Sequence, residues 1–493
     1  MREKKSSTLK RPPVIDRHLK LPVRRVGVSI LTCASLFLAI PIGGTGCASL
    51  PGPGNGIARH QGVKWVSGDN SVQRWTLANG LKLIVLEDHS SPTFAWQTWF
   101  GVGSRDEEDQ KTGLAHLFEH MMFKGTRFRP DGEFDRLLDA AGAEGQNAFT
   151  SNDHTAYVQE LPIESLELIA TLESERMRGL MVDDQAFKTE REVVQNERRM
   201  RTENSPDGMM YQEMFGVAFK KQAYRWPVIG YAKDLEGMSA SDARAFYDKW
   251  YQPKNATIVV VGDVNPRHIV NLVLAKYGSL GTSASQGTLP SPMRTYAIEP
   301  AQNQARRKDI ALNMQVDKAL VGWKVPEALH QDTAALLVLD SILTSGNSSR
   351  LNQALVDSGI ASGVFGYHLM AVEPSLYLVG FTLQPGKRIS LGESTLLKVV
   401  DSISKTPPTE DEMEKAKTRL EFDFFDGLNS NDEIANLLGE AETDLGAFEK
   451  TFELRTKISK VTAQEVSQAA RKWLNPNSRN TVIGQPKAKG AKR

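Results

Sequence analysis

Short apolar runs with the two-residue period of a strand alternate along this chain with stretches that repeat every three to four residues, the spacing of a helix face. Residues 81–86, 93–102 and 156–161 are predicted as strands, and 113–123 as a helix. The same order returns later: 320–325 reads as a strand and, after a polar turn, 332–343 reads as a helix. Ser239-Ala240-Ser241-Asp242 and Thr462-Ala463-Gln464-Glu465 each set a hydroxyl three residues before an acid, the signature of a capping box at a helix start. The two helices end in one phrase, Lys249-Trp250-Tyr251-Gln252-Pro253 and Lys472-Trp473-Leu474-Asn475-Pro476, and run on into strands at 257–261 and 481–483. From cap to cap and from Pro to Pro the offset is 223 residues. Two copies of one unit follow, at 70–280 and 300–485, with a small, polar, proline-punctuated linker at 281–299. The fold class this predicts is α+β: two homologous α/β sandwich lobes, each a mostly antiparallel sheet covered by helices on one face, enclosing a chamber.

Composition is that of a globular protein, 40% hydrophobic and 24% charged in 493 residues, which excludes a disordered, collagen-like or multispan membrane chain. The net charge of +1 hides an asymmetry, because residues 1–46 carry nine Lys or Arg against two acids. The remaining body is mildly acidic and offers no clustered basic face, so nucleic acid is excluded as a partner. The basic start leads into an apolar run over 26–42 and then small residues, the layout of a signal peptide at 1–46. Cys47 after Thr45-Gly46 resembles a bacterial lipoprotein cleavage site, although Gly44 stands where such sites usually have Leu. Plain signal cleavage and an uncleaved anchor are the alternatives. The preferred reading is an exported chain in the periplasm or cell envelope, attached to the membrane by lipid on Cys47, with 47–69 as tether and 486–493 as a basic tail. Cys33 falls in the apolar run, so the mature chain has at most one cysteine and no internal disulfide.

The chemistry lies in His116-Leu117-Phe118-Glu119-His120. Positions i, i+3 and i+4 of a helix share a face, so the two imidazoles and the carboxylate project together. Two imidazoles one turn apart suit Zn²⁺, and an acid beside them suits proton transfer from water. Leu114, Leu117, Phe118, Met121, Met122 and Phe123 make almost the whole circumference apolar, which argues against two merely solvated histidines. A hydrolytic zinc site needs a third protein ligand. Residues 185–200 read as a helix with Phe187, Glu190, Val193, Val194, Glu197 and Met200 on one side. Its two carboxylates either face a cation or belong to a surface helix rich in Glu and Arg. Periodicity does not choose between these.

His116-x-x-Glu119-His120, followed by Glu190 to Glu197 with the last acid 77 positions after His120, resembles the pitrilysin/insulinase family of inverted-motif zinc peptidases. The segment 145–157, with Asn147-Ala148-Phe149 and Asp153-His154-Thr155, resembles the family's substrate strand. Size and duplication are closest to the two-domain type, similar to mitochondrial processing peptidase subunits and their bacterial relatives. The resemblance implies one Zn²⁺ per chain held by His116, His120 and Glu197, with Glu119 as general base and Glu190 as a carboxylate that orients a ligand or the base. It implies that a peptide substrate adds to Asn147, Ala148 and Phe149 through main-chain hydrogen bonds. His154 is read as structural, because a fourth protein ligand would fill the place of water.

One part of the family pattern is missing. Single-chain members carry an Arg and a Tyr seven positions apart in the second lobe, and here those places fall near Leu355 or Val356 and Ser362. A homologous partner subunit that supplies the pair is therefore expected. Tyr367 or Arg350 as a substitute would permit a monomer or homodimer. The function expected is an exported zinc endopeptidase or oligopeptidase acting on short or unstructured peptides. The rival is a weakly active or inactive scaffold, a peptide-binding subunit of a heteromeric complex.

Overall fold

A computed structural model describes residues 57–64, 71–280 and 297–487, all within one compact unit, Leu50–Arg493. The signal peptide 1–46, Cys47, most of the linker and the last six residues lie outside the described residues. Among those described, no helix is long and apolar enough to cross a membrane.

Twelve strands form two sheets: β1 (Ile57–Lys64), β2 (Ser71–Leu77), β3 (Lys82–Glu87), β4 (Thr93–Phe100), β5 (Glu144–Thr150), β6 (Thr155–Pro162) and β7 (Ala256–Gly262), then β8 (Arg306–Leu312), β9 (Lys318–Val325), β10 (Ala361–His368), β11 (Ser375–Leu383) and β12 (Arg479–Pro486). The first sheet runs β1-β2-β3-β7-β4-β6-β5 and the second β10-β11-β9-β12-β8. Read from the other edge, the second order β8-β12-β9-β11-β10 repeats β3-β7-β4-β6-β5 strand for strand. Within each copy one pair is parallel, β3 with β7 and β8 with β12, and the rest are antiparallel. Both closing strands follow the capped helices, Ala240–Trp250 and Ala463–Trp473, and in both the capping box is complete. Strand β1 is a correction: 57–64, read as tether, pairs antiparallel with β2.

Each sheet buries one face under helices of its own half. Leu83, Val85, Phe94, Trp96, Tyr157, Ile258 and Val260 form one core with the helices of the first half. Val321, Trp323, Tyr377, Val379, Phe381 and Ile483 do so in the second. The opposite faces are covered by exchange. Helix Asn431–Asp444, from the second half, lays Ile434, Ala435, Leu438 and Ala441 on Ile84, Ala95, Trp99, Val259 and Val261 of the first sheet. Helix Pro206–Ala218, from the first half, lays Met210, Met214 and Phe215 on Leu320, Leu376, Leu378 and Val482 of the second. Gly322 and Gly484 let this helix approach, since a Cβ on either would stand 3.0 or 2.7 Å from the sulfur of Met214 or Met210. With about 1.5–3 kcal/mol for each large apolar side chain buried, the exchange binds the halves into one folding unit. Both faces of β7 are therefore buried, which suits its uninterrupted Ala-Thr-Ile-Val-Val-Val run.

Candidate metal centre

Helix Leu114–Met121 starts at Gly113, whose φ of +93° only glycine adopts without strain, and a Cβ there would also meet the Ile229 carbonyl at 2.6 Å. With no side-chain cap at that position, the free amides of the first turn turn to Glu107: the N–H groups of Gly113 and Ala115 donate to its two oxygens at 2.9 and 2.8 Å. Burial pushes the Glu107 carboxyl well above its ordinary range, and the amides counter this. Below the cap, Phe118 packs on Tyr247 and Tyr251 with ring centroids 5.5 and 4.7 Å away. The apolar circumference read from the sequence thus anchors the helix and leaves His116, Glu119 and His120 on the remaining face.

The second helix, Asp184–Arg198, begins at Asp183, whose carboxylate accepts from the amides of Gln185 and Ala186. It continues into a wider π turn, Arg199–Glu203. Phe187, Glu190 and Val194 point inward, with Glu197 at the edge, whereas Val193 and Met200 are exposed. The predicted stripe is thus narrower than read, because 187, 190, 194 and 197 follow one face and 193 and 200 lie off it.

His116, His120 and Glu197 each offer a donor atom within 4.8 Å of the others, and among the described residues this is the one such cluster. Glu197 Oε2 lies 3.2 Å from His120 Nε2, and Oε1 lies 3.7 Å from His116 Nε2. A tetrahedral zinc ion with bonds of ~2.0–2.1 Å holds its donors about 3.3–3.4 Å apart, so two imidazoles and a carboxylate at these separations fit the ion. The electrostatics favour a cation as well. Burial pulls His120 down, yet contacts with Glu190 and Glu197 and the charge of Glu119 outweigh it and hold the imidazole up at about 9. Burial pushes Glu197 up, but His120, His116 and Arg201 bring it down to about 2. Arg201 Nη1 pairs with Glu197 Oε1 at 2.7 Å.

Glu119 stands beside this cluster, and its Oε2 accepts a hydrogen bond from Thr150 Oγ1 at 2.6 Å. Glu190 Oε2 faces His120 Nδ1 at 3.6 Å, too long for an ordinary hydrogen bond, while its Oε1 pairs with Lys124 Nζ at 2.8 Å. Burial raises Glu190, and His120 and Lys124 together turn the balance downward. Asn147, Ala148 and Phe149 lie on β5, the outer strand of the first sheet, and pair with β6 on one side only. His154 is not brought to the cluster. Its Nδ1 lies 2.8 Å from Asp444 Oδ2, and its ring packs on Trp99, on the far face of the sheet.

Sequence reasoning missed Glu107, Lys124, Thr150 and Arg201. Thr150 lay inside the strand segment singled out, and Lys124 four places past His120, but nothing in their spacing marked them. Where the second half should carry an Arg and a Tyr, Leu355 is buried and Ser362 is exposed. Arg350 is spoken for by a two-pronged ion pair with Glu412 at 2.6 and 2.8 Å, which keeps Glu412 down at about 2. Tyr367 remains 57% exposed on β10.

Residues 82–230 match the model of the insulinase family, peptidase family M16, and 237–420 match that of the peptidase M16 inactive domain. The chain belongs to the insulinase family. Among insulinase-family relatives, the zinc protease PqqE of Helicobacter pylori is 32% identical over 74% of this chain and 82% of its own length. An uncharacterized zinc protease of Streptomyces coelicolor is 27% identical over 89% of this chain and 95% of its own. The crystal structure of a protease from Helicobacter pylori superposes with a TM-score of 0.79 at 29% identity, covering 87% of this chain and all of that one. A peptidase M16 inactive domain from Pseudomonas fluorescens, 19% identical with a TM-score of 0.75, shares the fold over 85% of this chain and 98% of its own.

Proposed function

We propose that this chain is an exported zinc-dependent endopeptidase that hydrolyses short or unstructured peptides. The observation that carries this reading is the convergence of His116, His120 and Glu197 donor atoms within 4.8 Å, with Glu119 beside them. The names of the zinc proteases from Helicobacter pylori and Streptomyces coelicolor support the choice of metal. His116, His120 and Glu197 would hold the ion, and Glu190, itself paired with Lys124, sets a negative charge beside the outer nitrogen of His120. When bound, zinc supplies a Lewis acid that polarises a carbonyl and makes water more acidic. The peptide pairs its main chain with the open edge of β5 at Asn147, Ala148 and Phe149, a mode that reads backbone more than side chains. Thr150 holds the Glu119 carboxylate through Oε2, and that carboxylate takes a proton from the attacking water and delivers it to the departing amine nitrogen.

Residues 70–280 are the metal-bearing half and 300–485 its metal-free counterpart. Because Leu355 and Ser362 replace the expected Arg and Tyr and Arg350 is paired, oxyanion stabilisation is assigned to a homologous partner subunit or a second copy. The same observation favours a second reading, a peptide-binding subunit with little activity of its own. Export by residues 1–46 and lipid attachment at Cys47 complete the proposal.

Zinc analysis and cleavage of an unstructured fluorogenic peptide, with a chelator control, test it. One zinc per chain and chelator-sensitive cleavage are expected. Glu119→Gln should keep the zinc and lose about 10²–10⁴-fold in turnover. Wild-type cleavage by that variant removes Glu119 from its role, and zinc without cleavage, even alongside a homologous partner, leaves the binding subunit.

A further inference from the structure

The turn between β5 and β6, 151–154, carries two buried charged side chains that hydrolysis does not use, and both reach the second half. Asp153 Oδ1 meets Arg105 Nη1 at 2.8 Å and accepts from the Tyr224 hydroxyl at 2.7 Å, while its Oδ2 accepts from the Val372 amide at 3.0 Å. His154 Nδ1 reaches Asp444 Oδ2 at 2.8 Å, with both side chains close to fully buried. Asp444 is the last residue of the exchanged helix Asn431–Asp444. Carboxylates are disfavoured at that end of a helix by the alignment of its carbonyls, so Asp444 depends on a cationic neighbour. The other charges facing His154 are Glu440, on the same helix, and Asp153. All three acids favour the protonated ring, which stands at about 9 despite burial.

The imidazole also touches the candidate substrate strand. Its ring centroid is 4.9 Å from Trp99 and 5.9 Å from Phe149, and Phe149 meets Trp99 edge-on at 5.4 Å. Phe149 is next to Thr150, which holds Glu119. The backbone of the turn continues the chain of contacts, since Ser151 N donates to the His154 carbonyl at 2.8 Å and Ser104 N to the Ser151 carbonyl at 3.1 Å.

We propose that the His154–Asp444 ion pair is a positioning device by which the metal-free half fixes β5 for peptide pairing. The part concerning peptide rests on the reading of β5 as the substrate strand. His154 is a positioning residue, and without its partner the ligands and base remain while the strand that presents the substrate loses its brace.

Full-length His154→Leu, Asp444→Asn and His154→Gln variants test this by hydrogen exchange, zinc content and peptide kinetics. In the leucine and asparagine variants, amides over 144–154 should exchange at least about tenfold faster, with 114–121 protected as in wild type and zinc unchanged. KM should rise about tenfold with kcat within about threefold, and His154→Gln, which keeps an N–H donor toward Asp444, should recover most of both. Asp444→Asn removes the negative charge that the imidazole faces and decides the matter if the leucine variant does not fold. Unchanged exchange over 144–154, or a rise spread evenly over both sheets, overturns the proposal. A wild-type chain that cleaves no peptide overturns the enzymatic reading instead, because the exchange measurement needs no substrate.

Discussion

The two halves share one strand order, yet the charges of the metal centre and the buried ionisable groups of the second half behave in opposite ways. In the first half Glu190 and Glu197 lie below the ordinary carboxylate range and His120 is held up at about 9. In the second, burial pushes Asp340 up and brings His368 down to about 4. The registers make the comparison residue by residue. Phe100 on β4 lies opposite Ala256 on β7 and Thr155 on β6, and Thr155 faces Thr150 on β5; Trp323 on β9 lies opposite Arg479 on β12, 223 positions after Ala256, and Tyr377 on β11, and Tyr377 faces His368 on β10. Where the first half has Thr150, the second half thus has a buried histidine. Its helix Thr333–Thr344 keeps one acid, Asp340, whose Oδ1 accepts from Thr344 Oγ1 at 2.8 Å. Burial alone drives ionisable groups toward neutrality, and only an opposite charge in reach reverses that. The first half surrounds its acids with His116, His120, Lys124 and Arg201, a set that a divalent ion can join. The second gives Asp340 hydroxyl partners, and burial outweighs them and holds its carboxyl above the ordinary range.

Removing one acid from each half should break the symmetry most sharply. Glu197→Ala should lose zinc by more than about tenfold and abolish cleavage, because two imidazoles alone hold the ion weakly. Asp340→Asn should leave zinc content and KM untouched and raise the melting temperature at pH 7. A carboxyl raised on folding costs stability as pH climbs through the carboxylate range, so the gain should vanish near pH 4. Loss of zinc in the Asp340 variant would mean that the second half takes part in the metal centre.

A pH titration of stability gives the next largest effect. His368 binds its proton less readily folded than unfolded, so stability is present above about 6.5 and falls as pH drops toward about 4. The loss over that window is on the order of 3 kcal/mol. His154 has the opposite sign: raised to about 9, it stabilises fully below about 6.5, and the contribution is lost as pH rises through 9. His368→Phe should flatten the acid limb of the denaturant-midpoint curve and His154→Leu the alkaline limb. Failure of either limb to respond would place the titration elsewhere.

What could be read from the sequence was what is local. The capping boxes, the Trp-to-Pro phrases and the His116–His120 helix announce themselves within a dozen residues, because cap chemistry and the 3.6-residue period act at that range. Glu197 could not be separated from an ordinary Glu- and Arg-rich face by periodicity, and the fold resolves it by turning Val193 and Met200 outward. The exchanged helices were invisible for another reason. Helix Asn431–Asp444 carries an apolar face like any other, and nothing in its own sequence says which sheet that face will meet. Glu107, Lys124 and Thr150 act across turns or between elements, where sequence spacing carries no distance.

The smallest effect tests whether the duplication extends to energetics. Ser239 accepts from the Asp242 amide at 3.3 Å and gives its own amide to Asp242 Oδ2 at 3.0 Å. Thr462 and Glu465 make the same pair of bonds at 3.3 and 2.7 Å. Both caps precede helices that feed an interior strand of their sheet, so Ser239→Ala and Thr462→Ala should each cost about 1 kcal/mol, with zinc content unchanged. Because the exchanged helices tie the halves together, both losses should move one common unfolding transition in denaturant. Two separate transitions, each shifted by one variant, would show that the halves unfold independently and that the exchange contributes less than its apolar area suggests.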